Sequence, residues 1–215
     1  MESNNINHHA HHQRVAIMKI FSAVELRDIA ISMAVLCIVF SFPESLSDPF
    51  FLLRALLAVG VGFIGHELSH KFAAIRQGFW SEYRMWPQGL VMALLLAAAT
   101  GGSFIFAAPG AVYFQPDAYR RPKKAQLVRI GMAGITFNIA VMWLALAASL
   151  AAGWLAVPAA AALFIYVAIV NGWLAIFNLI PFGGLDGQKL LALDRGKWAL
   201  LLVAGFAGFI ASSIA

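Results

Sequence analysis

The chain has 215 residues, of which 61% are hydrophobic and only 12% charged, against roughly 25% charged residues in an ordinary soluble domain. Its formal charge is +5, from 15 Lys and Arg against 10 Asp and Glu, but the basic residues sit in short loops between apolar runs. There they report cytoplasmic orientation, and nucleic acid is excluded as a partner.

One domain is the default at this length, and it is expected over 18–215 behind a leader over 1–17. The leader carries His8, His9, His11 and His12. Such a tract can bind metal, but reads more simply as a tag or a disordered polar segment. The first span runs from about Asp28 to Phe42, extending toward Val24, and contains the single cysteine, Cys37. One cysteine allows no intramolecular disulfide and is read as packing. An acidic loop, Pro43 to Pro49, leads into span two, about Phe50 to Ala74. A polar patch, Trp80 to Gln88, follows, with Trp80, Met85 and Trp86 read as an interfacial belt. A shorter apolar piece, Gly89 to Thr100, ends at Gly101 and Gly102. The segment Ser103 to Phe114 places aromatic and β-branched residues around Ala-Pro-Gly and predicts a re-entrant β-hairpin. After a basic stretch, spans three, four and five run over about Ile130 to Ala152, Ala159 to Ile180 and Lys197 to Ile214. The expected fold is an all-α polytopic membrane protein of about five to six transmembrane helices with one small β-hairpin element.

Loop charge orients these spans. Arg14, Lys19 and Arg27 lie inside, the acidic loop lies outside, and span two returns inside at Lys71 and Arg76. Span four descends to the same side, where Lys189, Arg195 and Lys197 follow.

Span two contains Gly65-His66-Glu67-Leu68-Ser69-His70, an H-E-x-x-H pattern. On a helix, positions i and i+4 share a face, so both imidazoles reach one zinc and the intervening Glu reaches the water beside it. Ionisable groups at mid-span cost roughly 2.5–3.5 kcal/mol each, which marks them as functional. A catalytic zinc takes three protein ligands. The remaining histidines all lie in the leader, so a carboxylate or Cys37 must supply the third. Asp186 is the best placed, because Pro181, Gly183 and Gly184 break span four near its inner end. A loop folding back from that break brings Asp186 to the depth of the histidines. Gly65, Ser69 and Ala73 form a small-residue stripe read as helix packing.

The chain resembles the site-2 protease family of intramembrane zinc metalloproteases, here without room for a PDZ or CBS domain. That family pairs H-E-x-x-H with N-x-x-P-x-x-x-x-D-G on a later helix, and Asn178, Pro181, Asp186 and Gly187 match the second pattern. The resemblance implies Asp186 as third zinc ligand and Asn178, Pro181 and Gly187 as structural parts of the motif. Gly134 and Asn138 resemble the family's G-x-x-x-N element. Asn138 is a candidate oxyanion donor or, equally, an interhelical hydrogen-bonding residue. Expected cofactor: one zinc per chain. Expected partners: the bilayer and transmembrane or membrane-associated protein substrates, with the oligomeric state open. The active site is expected in the cytoplasmic half of the cell membrane, and Glu67 is expected to act as general base. A zinc transporter is the rival class, but the outer halves of the spans lack a polar path. A prenyl-protease-like site would need a later Glu as ligand, and none follows Glu82.

Overall fold

The computed structural model describes residues 20–115 and 121–215. The histidine leader lies outside the described residues. Helix α1 spans Ala23–Ser41 and is capped by Ser22, whose side chain accepts the Glu25 N–H at 3.0 Å. Cys37 is buried among its core-facing residues. Helix α2, Phe50–Ile75, is one span interrupted by a π-turn over Gly60–Ile64. Strand β1 is Trp80–Met85, helix α3 is Pro87–Ala99 and strand β2 is Gly110–Gln115. Helix α4, Lys124–Trp154, starts at a reciprocal capping contact between Lys123 and Gln126. Helix α5, Pro158–Leu179, places its proline in the first turn, where no amide hydrogen is needed. A short helix, α6, covers Asp186–Leu193, and α7 covers Arg195–Ile214 behind the Asp194 cap.

Among the described residues, α2, α4, α5 and α7 are long and apolar enough to cross a membrane. Helix α1 has 19 residues but carries Glu25, Arg27 and Asp28 in its first two turns. Helix α3, with 13 residues, is about 20 Å long and falls short of a hydrocarbon core of about 30 Å. The bundle packs α4 against α2 and α5, with α7 behind α5 and α1 beside α2.

The β element differs from the expectation. Ser103 to Phe114 is not a hairpin. Only Gly110–Gln115 is a strand, and it pairs antiparallel with Trp80–Met85 in the register Trp80↔Gln115 through Met85↔Gly110. Helix α3 separates the two strands in sequence. Positive φ at Gly101 (58°) and Gly102 (80°) turns the chain after α3. The stretch before β2 is fixed by a side chain instead of a strand, with Trp173 Nε1 donating to Ile105 O at 3.0 Å. The supposed interfacial patch is therefore β1, although Trp80 and Trp86 are exposed as a belt would require.

The two edges of this sheet differ. On the outer edge of β1, Glu25 accepts the Tyr83 N–H at 3.0 Å, Asp28 the Met85 N–H at 3.4 Å, and Lys71 donates to Ser81 O at 2.8 Å. Residues 81, 83 and 85 thus point away from β2, so 80, 82 and 84 exchange its ladder bonds. By the same alternation Gly110, Val112 and Phe114 turn their backbone groups to the far side of β2. There they meet no hydrogen-bonding partner among the described residues. Lys71 corrects a second reading: it is buried with Glu25, and does not act as a solvent-facing orientation charge.

Candidate metal centre

The π-turn ends where the H-E-x-x-H segment begins. His66 and His70 lie one turn apart on α2, both buried and edge-to-face, with their Nε2 atoms 3.0 Å apart. Asp186 is the first residue of α6. Its Oδ2 lies 2.7 Å from His70 Nε2 and 3.3 Å from His66 Nε2. Three local features bring it there. Ile180 ends α5 ahead of Pro181, Gly183 and Gly184 turn the chain at φ of 68° and 82°, and Gly187 lets α6 touch α5. A Cβ on Gly187 would lie 2.2 Å from Leu179 O. Burial alone would raise the Asp186 carboxyl, but the adjacent imidazoles of His70 and His66 hold it well below the usual carboxylate range. Lys189 Nζ meets its other oxygen at 3.2 Å.

The imidazoles are oriented from behind. His70 Nδ1 donates to Ile130 O at 2.7 Å, since a carbonyl only accepts. His66 Nδ1 meets Asn138 Oδ1 at 2.6 Å. The amide polarity there is fixed by the backbone: Asn138 Nδ2 donates to Gly62 O at 3.0 Å and Asn171 Nδ2 to Val167 O at 2.9 Å. Asn138 Nδ2 also donates to Asn171 Oδ1 at 3.0 Å. His66 therefore donates through Nδ1, which leaves Nε2 as the atom that faces Asp186. Both asparagines are fully buried. Of the two roles open for Asn138, the structure displays the interhelical one: both its amide hydrogens are bonded within the protein. Asn171 was missed in the sequence, although a mid-span asparagine is itself a signal.

A tetrahedral zinc with bonds of about 2.0–2.1 Å sets its ligand atoms about 3.3–3.5 Å apart. The three pairs here stand at 3.0, 3.3 and 2.7 Å, so the triangle needs only to open slightly. Gly134 supplies the space. A Cβ built on it would lie 2.4 Å from His70 Nε2 and 2.6 Å from His66 Nε2, filling a hollow that an ion would occupy. Two neutral imidazoles and one carboxylate suit zinc. Among the described residues no other His, Cys, Asp and Glu cluster is close enough to hold a metal.

Glu67 lies beside the triangle and accepts no hydrogen bond from a described residue. It shares with His66, His70 and Asp186 a cavity of about 220 Å³, whose wall includes Gly110, Val112 and Phe114 of β2. Asn178 also reaches this wall, donating to Leu174 O at 2.9 Å, while Pro181 lies at the helix break. The small-residue stripe serves packing: a Cβ on Gly65 would lie 2.1 Å from the Phe137 ring of α4.

A protein of Methanocaldococcus jannaschii that carries the name "Putative zinc metalloprotease" is 35% identical to this chain over 185 residues, covering 84% of this chain and 90% of the relative. The chain belongs to the site-2 protease family of zinc metalloproteases. No family model and no solved structure matches it. The relative's name supports a zinc protease function, and His66, His70 and Asp186 form the group that, among the described residues, could hold a metal ion.

Proposed function

We propose that the chain is an intramembrane endopeptidase that cleaves transmembrane or membrane-associated proteins. The observation that carries this reading is Glu67: an acid with no hydrogen-bonding partner among the described residues, facing one cavity with three metal-binding side chains and an open strand edge. His66, His70 and Asp186 would hold one zinc, which as a Lewis acid lowers the pKa of water at the site toward about 7. Glu67 takes the proton from the attacking water and later returns it to the leaving amine. A helical substrate hides its scissile carbonyl in hydrogen bonds, so it must unwind first. The unwound segment then pairs with the outward groups of Gly110, Val112 and Phe114, as a peptide adds to a sheet edge.

Purified protein in detergent should contain one zinc per chain and cleave an unfolded test protein. A chelator should abolish cleavage and added zinc should restore it. Full zinc content with the test protein left intact would overturn the protease reading.

Loop charge assigns the site to the cytoplasmic half of the cell membrane. In a Cys37→Ala background, Ser45→Cys is expected to label only from outside and Arg121→Cys only from inside. Labelling of both from one side would reverse that assignment.

A further inference from the structure

The Lys71–Glu25 pair lies outside the metal centre yet is bonded to its neighbours. Both residues are 1% exposed. Lys71 Nζ has three hydrogens, and all are placed: on Glu25 Oε1 at 2.8 Å, Glu25 Oε2 at 2.9 Å and Ser81 O at 2.8 Å. Glu25 Oε1 accepts a second bond, from the Tyr83 N–H. Lys71 directly follows His70, so one side chain joins the metal-bearing helix to β1. Buried ion pairs rarely add net stability, because desolvation offsets the attraction, and their better-attested use is to fix a register. An uncapped outer edge of β1 would also be a second docking strip for an extended peptide, one that faces α1 and not the metal.

We propose that Glu25 and Lys71 are positioning residues for peptide hydrolysis: they close the outer edge of β1 and hold the open edge of β2 at a fixed distance from His66 and His70. An extended substrate then docks on β2 only, in one register relative to the metal. The proposal rests on the protease reading above.

The test compares two inhibitors of the zinc-loaded protein. Acetohydroxamate reaches only the metal, whereas a peptidyl hydroxamate also lies along β2. The double variant Glu25→Met with Lys71→Met replaces the pair by apolar groups of similar length, which buried pairs tolerate. It should keep zinc and its acetohydroxamate affinity. Its affinity for the peptidyl hydroxamate and its kcat/KM should fall by at least about tenfold, the scale of losing charge-assisted bonds to the backbone. The charge swap, Glu25→Lys with Lys71→Glu, keeps an ion pair but leaves no acceptor for the Tyr83 N–H and no donor for Ser81 O. It should not restore the peptidyl hydroxamate. Unchanged peptidyl affinity in the double variant, or restoration by the swap, would overturn the clamp. Loss of zinc and of both inhibitors together would mark a purely structural pair and overturn it as well. Failure of the protease reading looks different: the wild-type protein itself would bind the two hydroxamates equally and cleave nothing.

Discussion

Glu67→Gln is expected to keep zinc and fold near wild type while peptide hydrolysis falls by at least about 10²–10⁴-fold, the contribution of general acid–base catalysis. Glutamine matches glutamate in size, so the helix and its packing are preserved. The three metal-binding atoms come from His66, His70 and Asp186, and Glu67 is not among them. The carboxylate also accepts no bond from a described residue, so no structural contact is lost with its charge. The amide cannot take the proton of the attacking water. Zinc content is read by elemental analysis and hydrolysis by single-turnover cleavage in detergent. Unchanged cleavage would sink the mechanism even with the zinc site intact. A large loss of zinc would instead make Glu67 a ligand.

Asp186→Ala should remove zinc and hydrolysis together. Asp186 Oδ2 is the point where the loop after α5 closes on both imidazoles. Without it two histidines remain, and a catalytic zinc needs three protein ligands. The loss in zinc affinity should exceed the roughly 10–100-fold that follows from changing a residue behind a ligand. The fold should survive, because His66 and His70 can stay neutral with their Nδ1 bonds to Asn138 and Ile130 intact. Zinc titration monitored beside circular dichroism separates the two effects. A folded Asp186→Ala protein with full zinc content would strike Asp186 from the ligand set.

Much of this architecture was legible because its signals are local. Span two was read as Phe50 to Ala74 and is Phe50–Ile75. The Pro181, Gly183 and Gly184 break announced the loop that carries Asp186 to the histidines. The sheet was illegible because its partners lie on either side of α3, and β1, with Glu82 and Arg84, looks like a polar linker. Its Glu82 meets Ser22 and Arg84, and its backbone is bonded by Glu25, Asp28 and Lys71, a set that no sequence window unites. Lys71 misled for the same reason: its charge was counted as facing solvent, but its partner lies 46 residues upstream. Asn138 was legible as a mid-span polar residue with two open roles, but its bonding partners were not. They include Gly62, in a π-turn without a compositional signature, and Asn171, on another helix.

The cavity at the metal centre extends along α6 to Lys189, whose side chain is half exposed. At about 30 Å³ per molecule it has room for several waters, so under the proposed function the second reactant of hydrolysis would enter along α6. The apolar faces of α2, α4, α5 and α7 can meanwhile stay in hydrocarbon. On the proposed protease reading, water supply would then not limit the rate. The limiting quantity would be the substrate's: the free energy for a helix to leave lipid, give up its internal hydrogen bonds and partition into a wet cleft. Two substrates with the same residues at the cut site should then differ in turnover according to how readily their helices unravel.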